Sequence, residues 1–225
     1  MTLPQMRDSA MVQTESISLY EPSAIQARSS VYRLLASFFA RELTAESLLG
    51  WQQGEPRKLL DALAQVEDYA TAMTWLRAHI SELSDPEQAA LDMAESYAWL
   101  FHGVGGSHAV SPYASVYLNE SRATHQEVER ELGYLIREQG LSFDNSQREP
   151  YDHLAVILEF VAWLDEAEQQ RDRMLQIRQH VIDTYLVSWL PAFTSRALEA
   201  DRSGFYAGLA AITLALVKQD CSQAG

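Results

Sequence analysis

Apolar residues recur at intervals of three and four along almost the whole chain. After Ser23, an expected helix cap, Val31, Leu34, Leu35, Phe38 and Phe39 lie in a segment running to about Ala40, at the spacing that puts side chains on one buried helical face. Thr44 followed by Ala45 and Glu46 starts a short helix that Gly50 or Gly54 ends. Pro56 suits the first turn of a longer helix carrying Leu59, Leu60, Leu63, Val66, Tyr69, Ala70, Met73 and Leu76, since proline is tolerated where the amide has no helical partner. Asp85-Pro86 reads as a cap and first-turn proline for a helix reaching about Phe101.

The segment from His102 to Pro112 carries three glycines within four residues and is a loop. Thr124-His-Gln-Glu127 has the capping-box pattern ahead of Val128, Leu132, Leu135 and Ile136, with Gly140 as the stop. Pro150 is expected to open the most apolar helix, carrying Leu154, Ile157, Leu158, Val161 and Leu164 on one face. A further helix carries Met174, Ile177, Val181, Tyr185 and Trp189 and is kinked or ended by Pro191. The last runs from Phe205 to about Val217. No stretch alternates apolar and polar between turn signals, so no strand is expected.

The pattern predicts an all-α protein of about nine or ten helices in a single domain over residues 23–218. Residues 1–22 and 219–225 are expected to be tails. The polar connector at 141–149 is either a hinge or only a long loop.

The 225 residues carry 17 basic and 31 acidic side chains, a formal net charge of −14. That disfavours nucleic acid, whose phosphates demand clustered positive charge, and an anionic lipid surface. Fifteen of the basic residues are arginine, Lys58 and Lys218 being the lysines. Arginine's forked donors suit internal pairing with the surplus carboxylates. Cys221 is the single cysteine, which excludes an intramolecular disulfide and fits a reducing compartment. The first twenty residues lack the basic and apolar regions of a secretory signal. The longest apolar run, Leu154 to Leu164, is interrupted by Glu159 and is too short to span a bilayer. A cytoplasmic protein is expected, without stable membrane insertion.

Motifs for enzyme chemistry are missing. There is no phosphate loop, nucleophile elbow, zinc-protease pair or calcium loop. Gly103, Gly105 and Gly106 follow a helix, whereas the dinucleotide fingerprint follows a strand. The six histidines show no recognised ligand spacing. No catalytic residue, metal ligand or cofactor is therefore assigned, and the protein is not expected to be an enzyme. The segment Glu149-Pro-Tyr-Asp-His153 stands out and admits two readings. As a helix start, Glu149 caps, Pro150 takes the first position, and Asp152 meets the positive end of the helix dipole, worth about 0.3–1 kcal/mol. As a binding element, Asp152 and His153 present an acceptor and a switchable donor to a ligand.

Three segments together resemble the TorD/DmsD/NarJ family of redox-enzyme maturation chaperones, the TorD-type members most of all. Glu149-Pro-x-Asp-His153 opening an apolar helix is similar to the family signature. Tyr97-Ala-Trp-Leu-Phe101, a glycine loop and Ser111-Pro-Tyr-Ala-Ser-Val-Tyr117 resemble its Y-x-x-L-F and P-Y-x-S-V-Y stretch, and Tyr32-Arg-Leu-Leu-Ala-Ser-Phe-Phe39 its first helix. The likeness covers residues 24 to 217. It departs where the family has Gly-Pro after Leu-Phe and this chain has Gly103-Val104.

The resemblance implies an all-helical chaperone that binds the twin-arginine leader of a molybdenum-dependent oxidoreductase precursor until its cofactor is inserted. It also implies a monomer or a domain-swapped homodimer with its hinge near 141–150, and weak guanine-nucleotide (GTP) binding. On this reading the leader-binding residues are Asp152, His153, Glu149, Pro150, Tyr97, Phe101, Ser111, Pro112, Tyr113 and Tyr117. The carboxylates receive leader arginines and the aromatics line an apolar groove for a helical leader. The competing expectation is an acidic helical scaffold or regulatory module that binds a folded partner.

Overall fold

The structure, a computed structural model, describes residues 22–80, 83–118, 126–141, 149–167 and 170–222. Among these, eleven α-helices follow one another: α1 (Pro22–Ala40), α2 (Ala45–Gly50), α3 (Gly54–Leu63), α4 (Ala70–Ile80), α5 (Pro86–Phe101), α6 (Ser115–Leu118), α7 (Gln126–Glu138), α8 (Leu154–Glu166), α9 (Arg171–Tyr185), α10 (Leu190–Ala200) and α11 (Phe205–Ser222). The described residues form no strand, only one antiparallel bridge between Tyr113 and His153. The all-α reading holds.

Two expected caps are in place. Thr44 Oγ1 accepts from Ser47 N at 3.1 Å, and Asp85 Oδ1 accepts from Gln88 N at 3.1 Å with Pro86 beside it. Each satisfies an amide that the helix itself leaves bare. The capping box at Thr124, the Ser23 side chain and most of the 141–149 connector lie outside the described residues.

Three boundaries differ from the periodic pattern. The long helix expected after Pro56 is two, α3 and α4, separated by a 3-10 turn at Glu67–Tyr69. The turn swings Tyr69 inward, where it is buried and donates to Gln219 Oε1 at 2.9 Å. The helix expected to carry Trp189 stops at Tyr185. Trp189 then folds back, its Nε1 donating to Tyr185 O at 2.6 Å, and Pro191 sits in the first turn of α10. Third, α11 continues past the expected boundary at 218 to Ser222, because Asp220 has a buried partner in the core.

The core is organised around α8. Ten of its thirteen residues are buried, a helix apolar on nearly every side. It packs along α1 and against α9, while α4 and α10 pack on α11, which in turn meets α1 and α9. Tyr32, Leu35, Phe38 and Phe39 of α1 are fully buried. An aromatic cluster joins α1, α5, α10 and α11: Phe39 meets Phe101 and Phe193 at 6.0 and 5.9 Å, and Phe101 meets Tyr206 at 5.3 Å edge to face.

A buried charge cluster ties the C-terminal end of α8 to three other helices. Asp165 receives Arg28 Nε at 3.0 Å and Arg28 Nη2 at 2.5 Å. The Arg178 Nε lies 2.8 Å from Asp165 Oδ1 in ion-pair contact, without hydrogen-bond alignment. Arg178 Nη2 pairs with Asp220, which also accepts from Tyr32 OH at 2.7 Å. The guanidinium stands 5.7 Å from the Tyr32 ring centre. Burial alone would lower the Arg178 pKa; Asp220 and Asp165 together outweigh it and hold the charge in place. Asp220 explains why α11 is longer than its apolar pattern.

Removing one member of such a cluster leaves an uncompensated buried charge. Asp165→Ala is expected to cost about 3–5 kcal/mol, read as a lower midpoint in urea unfolding. Lys58→Ala, which breaks the exposed pair with Glu55, should leave that midpoint unmoved.

Candidate functional site

The segment Glu149–His153 does not open a helix at Pro150. Helix α8 begins at Leu154, and His153, with φ −67° and ψ 135°, is its cap. The start is late because Pro150 to His153 form a turn whose end pairs with another segment. Leu154 N donates to Pro112 O at 2.8 Å and Ala114 N donates to Asp152 O at 2.9 Å, which makes the Tyr113–His153 bridge. Backbone amides that a helix would use internally here hold the 112–114 segment instead.

Asp152 is therefore not a first-turn carboxylate at the dipole of α8. Its Oδ2 accepts from Ser115 N at 3.1 Å, which secures the first residue of α6. Only 3% of Asp152 and 3% of His153 is exposed. The cap on α8 is unusual in being an imidazole: His153 Nδ1 accepts from Ala155 N at 3.2 Å. That bond requires an unprotonated Nδ1. Burial lowers the His153 pKa, against the opposing pull of Glu149 and Asp152. The ring meets Tyr113 edge to face at 5.0 Å.

Around this buried clamp lies an accessible rim. Glu149 is exposed, and its Oε2 accepts from Tyr113 OH at 2.9 Å. Burial, then the bond to Glu149, pushes the Tyr113 phenol up to about 12. Tyr97 is buried and donates to Phe39 O at 2.9 Å. Its pKa is raised by burial first, then by Glu149, Tyr113 and Glu42, so those groups converge on one region. The His102 ring stands 5.1 Å from Tyr97, and its Nδ1 is 3.9 Å from Glu42 Oε1. Glu42 and Glu149 are thus two exposed carboxylates flanking Tyr97, His102 and Tyr113. Sequence reasoning missed Glu42, which carries no motif and reaches the region only through the fold.

The other expected residues divide between surface and core. Pro112 is buried, and Ser111 and Phe101 are half-buried. Tyr117 is also half-buried, stacked on Trp189 at 5.2 Å, its hydroxyl without a hydrogen-bond partner among the described residues. Pro150 is half-buried and its carbonyl accepts from His153 N at 3.0 Å. Tyr151, which the sequence did not single out, packs on α7. A side chain at Gly133 would come within 2.7 Å of its ring, and Arg137 stands 5.2 Å over it. Beyond, a cleft of about 650 Å³ between α7 and α9 is lined by Arg130, Arg137 and His180 with Tyr134 and Tyr185. Among the described residues no group of three or more His, Cys, Asp or Glu is placed to hold a metal ion. Among the described residues no helix is long and apolar enough to cross a membrane.

A histidine whose folded pKa is depressed binds its proton more readily in the unfolded chain, so stability falls as pH drops. Thermal unfolding of the protein should be insensitive to this group above about pH 6.5 and decline below it. His153→Asn retains a capping oxygen without a titrating ring. It should flatten the decline in melting temperature between about pH 7 and 5.

Comparison with known proteins agrees with the geometry. The family model described as nitrate reductase delta subunit matches residues 58–195. The chaperone protein TorD of Shewanella loihica is 33% identical over 217 residues, covering 92% of this chain and 98% of that protein. TorD of Vibrio vulnificus is 33% identical over 185 residues, with 80% and 86% covered. TorD of Vibrio cholerae is 30% identical over 199 residues, with 86% and 90% covered. With that coverage, and with the Tyr113–His153 clamp built from the segments that carry the likeness, the chain belongs to the TorD/DmsD/NarJ family of redox-enzyme maturation chaperones.

Proposed function

We propose that the protein is a cytoplasmic chaperone for a molybdenum-cofactor oxidoreductase. It binds the twin-arginine leader of the precursor, together with the apo form of the enzyme, and assists maturation before export. The observation that carries this reading is the pair of exposed carboxylates, Glu42 and Glu149, beside the half-buried Tyr113 and the exposed His102. Each guanidinium of a leader is a planar fork of donors that a carboxylate accepts in two parallel bonds. The adjoining aromatic surface of Tyr113, Phe101 and Tyr117 takes the apolar stretch that follows the arginines. The chain's net charge of −14 favours encounter with a cationic segment.

Asp152 and His153 serve the site by positioning. Asp152 fixes Ser115, His153 caps α8, and the backbone pairing between their segment and 112–114 sets where Tyr113 and Glu149 stand. Asp152→Asn keeps an oxygen for the Ser115 amide and should bind leader within about twofold of the unaltered protein. Asp152→Ala leaves that amide bare, at about 1–3 kcal/mol, and should lose melting temperature and leader affinity together.

Calorimetric titration with a synthetic leader peptide tests the whole reading. Glu42→Gln and Glu149→Gln are each expected to weaken binding roughly two- to fivefold, as exposed ion pairs do. Affinity should fall with added salt, and a leader with paired lysines should bind more weakly than one with paired arginines. Full affinity in the Glu42→Gln/Glu149→Gln double variant would remove these carboxylates from the interface. Indifference to the arginine pair would favour a scaffold that binds a folded partner.

A further inference from the structure

A second feature of α5 lies around the helix from Tyr97. Trp99 forms one wall of a cleft of about 280 Å³ whose other walls include Asp92, Glu95, Asp201 and Arg202. The Arg202 guanidinium carbon stands 4.4 Å over the centre of the Trp99 ring, within the range of a cation–π contact. Arg202 is exposed and makes no ion pair among the described residues; the indole face is its contact.

The cleft is built to hold that indole still. Gly105 N donates to Trp99 O at 3.0 Å. A side chain on Gly105 would come within 2.6 Å of that oxygen and 3.1 Å of the ring, so only glycine permits the loop to pack so closely. The His108 ring stacks on Trp99 at 6.4 Å. Glu95 and Asp92 precede Trp99 by four and seven residues, on the same helical face. Both are exposed; Glu95 has no partner among the described residues, and Asp92 Oδ1 accepts only from Gln88 Nε2 at 2.8 Å. Asp201 is committed elsewhere, accepting from Ser203 N and Oγ and from Ala207 N.

We propose that this cleft is an arginine subsite for the leader, with Arg202 as its resident occupant and one leader guanidinium as the group that replaces it. The proposal rests on the leader-binding reading above and deepens it. A guanidinium seated on an indole with carboxylates around it is what an arginine ligand would reproduce, and the leader adds the contacts by which it outcompetes a tethered side chain. Tyr97 and Trp99 are two residues apart on α5, about 200° around the helix. The Glu149–Glu42 rim and the Trp99 cleft therefore flank the C-terminal end of α5. Neighbouring side chains of an extended peptide diverge in the same way, which gives each of two adjacent arginines its own site.

Titration of leader peptide into the full-length protein and its variants tests the subsite. Arg202→Ala empties the cleft and should tighten binding about threefold to tenfold, the scale of one cation–π contact. Arg173→Ala removes the same charge from an exposed position on α9 and should change affinity less than twofold. Trp99→Leu should weaken binding by about threefold to tenfold. The exposed pair Asp92→Asn/Glu95→Gln should also weaken it and reduce its salt dependence, which keeps the test sound if Trp99→Leu misfolds. Equal effects of Arg202→Ala and Arg173→Ala, with no change in the Asp92→Asn/Glu95→Gln variant, would overturn the subsite. Leader binding lost only through Glu42 and Glu149 would then stand without it. Failure of the unaltered protein to bind leader would overturn both.

Discussion

Burial of α8 on nearly every side is the constraint from which the rest of the structure follows. Leu154, Val156, Ile157, Leu158, Phe160, Val161 and Leu164 are all buried in this one helix. At roughly 1.5–3 kcal/mol each, they supply a large share of the apolar driving force. Only Glu159 and Glu166 of this helix are exposed; the rest needs neighbours, and α1 and α9 are the helices that pack along it. It also needs its ends closed without water. The N-terminal end is closed by the His153 ring nitrogen and the backbone pairing with 112–114. The C-terminal end is anchored by Asp165 and its two arginines. Both devices place polar groups inside the protein; the His153 bond to Ala155 is local, whereas the 112–114 pairing and Arg28 come from distant parts of the chain.

That arrangement divides the carboxylates into two populations. Asp152, Asp165 and Asp220 are buried, and their partners are an amide, arginines and a tyrosine of the same chain. Glu42, Glu95 and Glu149 are exposed and stand beside aromatic rings. Buried charges are costly to disturb, so the first group keeps the framework rigid. Exposed carboxylates remain hydrated until a partner arrives, and exchange water for a guanidinium at modest cost. A surface of this kind suits reversible capture of a cationic segment, which a chaperone must later release.

The helices were legible because burial imposes a period on the sequence, and Thr44 and Asp85 were legible because caps are local chemistry. The break at 64–69 was not, since Leu59 to Leu76 keeps its period across it. Only Gln219, far along the chain, accounts for the inward turn of Tyr69. The extension of α11 hides in the same way: Gln219 and Asp220 read as the start of a polar tail until Arg178 and Tyr32 are seen around the aspartate. At the site, the residues Glu149 to His153 were visible as a motif, but their division of labour was not. A proline followed by an aspartate is a good helix start locally. The backbone of Ser111 to Ala114, drawn alongside by the fold, takes the hydrogen bonds that such a start would use.

The distribution of positive charge completes the picture. The cleft between α7 and α9 carries Arg130, Arg137 and His180 beside Glu131, and Arg137 reaches back over Tyr151 of the clamp. Glu149, from the same five-residue segment, turns instead to Tyr113. Tyr151 and Glu149 are two residues apart in extended chain, so their side chains leave by the same face unless the backbone turns between them. The bond from His153 N to Pro150 O is that turn. It sends Tyr151 toward Gly133 on α7 and Glu149 toward Tyr113. The turn at Pro150 thus separates a ring packed under Arg137 on α7 from an exposed carboxylate beside Tyr113, within a single short segment.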